Sequence, residues 1–136
     1  MSYWNHENSQ EVDHVIGAFY LIRKKLFDEV KGFDEGYFVY YEDIDLSHRV
    51  KEYGYTIYYL AEAKAYHKGG GTSEKIKAKR LFYSLRSKMT YSKKHLNLIS
   101  HGCIVLVTFT LEPISRIFLS LLKGSKNELF EVLEAY

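Results

Sequence analysis

Hydrophobic and polar positions divide the chain into segments with different periods. Residues 1 to 14 are polar and mixed, with Tyr3, Trp4 and Val12 as the only apolar anchors, which predicts a loop or arm. Val15-Ile-Gly-Ala-Phe-Tyr-Leu-Ile22 is a near-continuous apolar run bounded by charges. Its shortness and its β-branched and aromatic content predict a buried strand. Gly17 and Ala18 leave room there for close approach to the backbone. Arg23 to Lys31 predicts a short helix with Leu26, Phe27 and Val30 on one face and Gly32 as the C′ residue. A turn over Gly32 to Gly36 precedes an extended aromatic segment, Tyr37 to Tyr41. The next helix is expected over Glu42 to Tyr53, with Leu46, Val50 and Tyr53 on one side and Gly54 at its end. Its acids fall in the first turn and Arg49 and Lys51 come later, as the helix dipole prefers.

Thr56 to Tyr66 reads as a strand, followed by a loop at His67-Lys-Gly-Gly-Gly71. Thr72 or Ser73 is placed to cap a third helix, in which Ala78, Leu81, Phe82, Leu85 and Met89 recur at helical spacing. The chain turns apolar from Leu98 to Leu111, and Glu112-Pro113 reads as a break. Beyond it Ile114, Ile117, Phe118, Leu121 and Leu122 form one face opposite Ser115, Arg116, Ser120 and Lys123. These elements place the chain in the α/β class, with helices at its C-terminal end.

At 136 residues the chain is long enough for a real core. Its 46% hydrophobic and 26% charged content is globular and not disordered. The 13 tyrosines suit half-buried surfaces, clefts and membrane interfaces. The one cysteine, Cys103, excludes an internal disulfide and fits a reducing compartment. Met1 is followed by mostly polar residues, so no signal peptide is expected. Net charge is only +2, but eight basic residues and no acid lie between Lys75 and Lys94, just ahead of the most apolar stretch.

Candidate chemistry centres on Phe38-Val-Tyr-Tyr-Glu-Asp-Ile-Asp-Leu46. Glu42, Asp43 and Asp45 either favour a helix N-terminus or form a site. Asp43-Ile-Asp45 is not expected to chelate one ion, because helical residues two apart point about 200° from each other. His67 reads as a surface residue or as a ligand. The glycines after it could lie against a diphosphate, although the P-loop Lys-Ser/Thr pair is lacking.

Read in order, Gly17 to Arg23, Val30-Lys-Gly-Phe-Asp-Glu35, Phe38 to Leu46, Gly54-Tyr55 and the strand ending at His67-Lys-Gly-Gly-Gly-Thr-Ser73 form a specific succession. Over about residues 13 to 95 it resembles the C-terminal half of family 2 inverting glycosyltransferases of the GT-A fold. It is most similar to the rhamnosyltransferase-like members that build bacterial surface polysaccharides. The resemblance implies a partial, Rossmann-like GT-A fold: an acceptor-side half over residues 1–95, then an apolar and amphipathic helical tail over 96–136. It implies that Asp43 is the general base, that Gly17 and Ala18 floor the cleft, and that Phe38, Tyr40 and Glu42 line its acceptor side. His67 matches the histidine that helps hold a divalent metal, Mg²⁺ or Mn²⁺. Asp45 and Arg49 match positions that support the acidic turn.

Enzymes of this kind begin with a nucleotide-binding βαβ half. Fourteen mostly polar residues before Val15 cannot form it. The expectation is therefore an excised fragment, a truncated gene product or one component of a split enzyme. Two functions follow. One is transfer of a sugar from a nucleotide-sugar donor to a saccharide or lipid-linked acceptor with inversion. The other is a non-catalytic binding or assembly module that self-associates or pairs with a partner carrying the missing half. The tail is expected to lie at a membrane interface, with the basic stretch drawn to anionic headgroups, or else to pack on its own domain or on a second copy. The implied location is cytoplasmic, peripheral at the inner face of the membrane. No recognised nucleic-acid module surrounds the basic helix, so nucleic acid is not an expected partner.

Overall fold

The structure is a computed structural model that describes residues 5–66 and 77–136. The expected loop at 67–71, the caps Thr72 and Ser73, and the anchors Tyr3 and Trp4 lie outside the described residues. Among the described residues the chain is mixed and mostly helical with one two-stranded sheet, consistent with the α/β class. It divides into two compact units, Met1–Glu35 with Glu42–Gly69, and Gly36–Tyr41 with Gly70–Tyr136.

In the first unit, β1 (Gln10–Val12) pairs antiparallel with β2 (Ile57–Tyr59), with Val12 opposite Ile57. The expected N-terminal arm therefore contains a strand, because Val12 has a buried partner and Ser9 accepts from the Ala61 amide at 2.8 Å. The strand expected over Thr56 to Tyr66 is limited to these three residues.

Val15 to Ile22 is not a strand. It holds a 3₁₀ turn at Gly17–Phe19, and the one sheet among the described residues does not include it. Val15, Tyr20 and Ile22 pack on the core while Ile16, Phe19 and Leu21 are exposed. The run lies along the core with one side and needs no ladder partner.

α1 (Lys24–Glu29) and α2 (Glu42–Glu52) follow their predicted spans closely. Leu26, Val30, Leu46, Val50 and Ile57 form the core of the unit. α1 ends in a Schellman turn in which the Gly32 amide donates to Phe27 O at 2.8 Å and Lys31 to Asp28 O at 3.0 Å. That turn puts Lys31, not Gly32, at C′, and both residues take positive φ. α2 ends as expected at Gly54, whose φ of 83° suits a residue without Cβ.

In the second unit, α3 (Lys77–His95) packs on α4 (Leu98–Phe109) and on α6 (Lys126–Ala135), and α5 (Leu111–Leu122) packs on α4 and α6. The break before α5 falls at Thr110 instead of Glu112-Pro113. Pro113 sits in the first turn of α5, where its missing N–H costs no helical hydrogen bond. α4 is capped by Asn97, which accepts from Ser100 N at 2.8 Å, and α6 by Ser125, which accepts from Glu128 N at 3.3 Å. The aromatic segment Tyr37 to Tyr41 lies along α3.

Candidate active site

The first unit builds the acidic site at the start of α2. Glu42, Asp43 and Asp45 all fall in its first turn, where exposed amides and the helix dipole favour carboxylates. Helical geometry then separates their roles. Asp45 points inward and is 0% exposed. It accepts from Arg49 Nε at 2.8 Å, one turn on. The Arg49 guanidinium also donates to Gly32 O at 2.8 Å and to Val30 O, which binds α2 to the end of α1. A buried carboxylate is tolerable only with such a partner.

Asp43 points elsewhere. Its Oδ2 accepts from the Gly17 amide at 2.8 Å and its Oδ1 from the Ile44 amide at 2.9 Å. The Gly17 contact joins residues 26 apart in sequence and fixes the carboxylate against the 3₁₀ turn. A Cβ added at Gly17 would stand 3.4 Å from Asp43 Cβ and Oδ2, so the turn and the carboxylate are in close contact. An ionised carboxylate has about four lone-pair sites. Two are used by these amides, which leaves the group oriented and still able to accept a proton. Ala18 follows in the same turn and is exposed.

Glu42 is half-buried, and its Oε2 is shielded from solvent without a hydrogen-bond partner among the described residues. A shielded carboxylate oxygen left unpaired is costly. It suits a ligand hydroxyl or a hard divalent ion, which takes carboxylate oxygens together with substrate phosphates. The expected metal ligand His67 lies outside the described residues.

Phe38 and Tyr40 belong to the second unit. The Phe38 ring stacks at 4.7 Å from Tyr83, and Arg80 Nε donates to the Tyr40 hydroxyl at 3.2 Å. Ser87 Oγ donates to Val39 O at 2.7 Å, and Lys94 lies over the Tyr37 ring at 5.9 Å. Tyr40 and Tyr41 both have φ of 66°. Left-handed backbone at two successive aromatic residues is strained and needs surrounding contacts to hold it. Tyr41 packs on Tyr91 at 5.7 Å, and burial, followed by the Glu112 charge, pushes its hydroxyl above the usual tyrosine pKa.

The sequence pattern did not mark one polar cluster in the second unit. Lys88 Nζ donates to Glu112 Oε2 at 2.6 Å, and Arg116 Nη2 donates to Glu112 Oε1 at 2.8 Å. The spacing of Glu112 and Arg116, four apart on a helix, was a usable signal, whereas the long-range Lys88 contact left none. Burial would raise the Glu112 carboxyl, but the two cations together outweigh it and hold the group below its ordinary value.

Over part of its length the chain is similar to named bacterial transferases. It is 36% identical over 80 residues to rhamnosyltransferase WbbL of Escherichia coli (strain K12), a match covering 59% of this chain and 30% of that protein. It is 37% identical over 60 residues to the N-acetylglucosaminyl-diphospho-decaprenol L-rhamnosyltransferase of Mycobacterium tuberculosis (strain ATCC 25618 / H37Rv), covering 44% of this chain and 20% of that protein. The chain is thus rhamnosyltransferase-like in sequence over more than half its length, and it spans less than a third of the relatives it matches. No family model matches it, and no solved structure matches at a significant level.

Proposed function

We propose that this chain is the acceptor-side part of an inverting, GT-A-type glycosyltransferase, with Asp43 as its general base. The observation that carries the reading is the Asp43 carboxylate, fixed by the Gly17 and Ile44 amides beside the unpartnered Glu42 oxygen. The names of the similar proteins support transfer of a rhamnosyl group and a lipid-linked saccharide acceptor, and the donor in this reading is a nucleotide sugar. Asp43 takes the proton of an acceptor hydroxyl as that oxygen attacks the anomeric carbon. The new C–O bond forms as the bond to the diphosphate breaks, and its electron pair leaves with the diphosphate. One displacement inverts the centre.

Glu42 accepts from a second hydroxyl of the acceptor. Gly17 and Ala18 form the floor of the cleft, and Phe38 and Tyr40 offer aromatic surface for apolar sugar faces. Asp45 and Arg49 hold the first turn of α2 in place. A divalent Mg²⁺ or Mn²⁺, with His67 as its ligand from this chain, would neutralise the diphosphate leaving group. The reading places the protein on the cytoplasmic side of a membrane, where lipid-linked acceptors are found.

The test is transfer from nucleotide-sugar donors to a polyprenyl-diphosphate-linked acceptor, with and without added Mg²⁺. A positioned base contributes about 10²–10⁴-fold, so Asp43→Asn should lower turnover by that factor with the fold intact. An unchanged rate in Asp43→Asn overturns the base assignment. The same Glu42 oxygen also fits a second reading, a module that binds acceptor and pairs with a donor-binding partner or a second copy. Acceptor binding by calorimetry without donor binding or turnover selects it.

A further inference from the structure

The second unit is inside out for a helical bundle in water. Its buried positions include Ala78, Ser87, Ser92, Thr108, Ser120 and Ala135. Its large apolar side chains face outward: Leu98 is 84% exposed, Ile99 80% and Phe118 60%, with Ile114, Leu122 and Phe130 similarly bare. In water, fully burying one such side chain is worth about 1.5–3 kcal/mol, so a soluble bundle turns them inward. Within the 25-residue stretch Leu98–Leu122 the most apolar 18-residue window is only 11% buried, although its mean hydropathy of 1.7 is that of a membrane segment. In lipid the gradient disappears, and helices meet through small and hydroxyl-bearing residues instead. Most residues buried here are of that kind, beside Tyr37, Leu85 and Val132, and the charges of α5 turn inward, Glu112 meeting Lys88 of α3.

Charge at the ends of the apolar stretch points to the occupant. Lys93 and Lys94 precede the exposed Leu98 and Ile99, and Lys123 and Lys126 follow the exposed Leu121 and Leu122. Lysines at the border of an apolar face reach headgroups while their stems stay in the acyl region. Lys79 and Arg86 add exposed positive charge on α3, the helix packed on α4. The break at Thr110 and the polar cluster at Glu112 and Arg116 suit helices lying in one leaflet.

We infer that the outer faces of α4 and α5 insert into the acyl-chain region of an anionic lipid leaflet, with the flanking lysines among the headgroups. This surface is independent of the chemistry at Asp43, so it stands or falls separately from the transferase reading.

Cys103 supplies the probe, because it is the one cysteine of the chain and is exposed on α4. The protein labelled there with an environment-sensitive fluorophore is mixed with phosphatidylcholine–phosphatidylglycerol vesicles. The expected result is a blue-shifted emission that spin labels on the acyl chains quench, with weaker binding to phosphatidylcholine alone. Ile114→Asp combined with Phe118→Asp should weaken partition by well over about tenfold, since aspartate is costly in an acyl environment. Both positions are exposed, so the helical circular dichroism should be unchanged. Quenching in the unsubstituted protein tests the inference even if that variant misfolds. Emission that acyl-chain quenchers do not reach overturns it. So does a variant that turns a dimer into a monomer while leaving vesicle binding intact, because a second copy then covers the face.

Discussion

At the scale of single residues, the Gly17 amide is what distinguishes Asp43 from an ordinary acid in a helical first turn. Gly17→Pro removes that contribution. Ile16 already has φ −66° and ψ 138°, the backbone required before proline, and a 3₁₀ turn suits the fixed φ of the ring. The backbone can therefore take the ring, but its Cδ replaces the N–H that lies 2.8 Å from Asp43 Oδ2, so the carboxylate loses the donor and is pushed out of its place. Transfer should lose kcat with little change in donor KM, and circular dichroism should stay native. A wild-type kcat would mean that the Ile44 amide orients the carboxylate by itself. Glu112 makes a different residue-level prediction. Its folded pKa lies below the unfolded value of about 4.3, so its ion pairs stabilise the second unit at neutral pH. That contribution fades as pH falls through the folded pKa. Acid titration of Glu112→Gln should show a smaller loss of stability below about pH 4 than the unsubstituted protein does. Neither contact was legible in the sequence. Both cross more than twenty residues, and in one the donor is a backbone amide that no side-chain pattern records.

Among the elements, Arg49 adds a polar clamp to the apolar packing of α1 with α2. Arg49 reaches the buried Asp45 and two carbonyls at the end of α1. Arg49→Met keeps the length of the side chain but takes the guanidinium away from the buried Asp45 and from both carbonyls. Urea unfolding should show a loss of about 3–5 kcal/mol. Arg49→Lys should also destabilise, because one ammonium cannot reproduce the planar fork that serves three acceptors. If Arg49→Met unfolds with the wild-type midpoint, the clamp contributes nothing. α1, α2 and α3 could be read from the chain because apolar residues at helical spacing coincide there with stop signals such as Gly54. The Val15 to Ile22 run could not, since a continuous apolar pattern is shared by a paired strand and by an extended segment with one side on a core. α6 was missed although Ser125-Lys-Asn-Glu128 carries a capping signature ahead of apolar residues.

At the scale of the molecule, the two units differ in what stabilises them. The first has an ordinary apolar core of leucine, valine and isoleucine side chains. The second buries mainly alanine, serine and threonine, with Tyr37, Leu85 and Val132, and leaves most of its large apolar residues outside. The stripe Ile114, Ile117, Phe118, Leu121 and Leu122 was legible as an apolar face of a helix. The sequence does not say whether such a stripe looks inward or outward, because that depends on the solvent around it. The consequence is measurable by hydrogen exchange on the intact chain. In buffer, amides of α1 and α2 should be protected close to the global limit of their unit, while those of α4 to α6 exchange through low-energy openings. A surface that binds only the folded unit stabilises it by mass action. Anionic vesicles should therefore slow exchange in α4, α5 and α6 and leave α1 and α2 unchanged. Equal slowing in both units would mean that lipid acts on the chain as a whole, and the assignment of separate stabilising environments to the two units would be wrong.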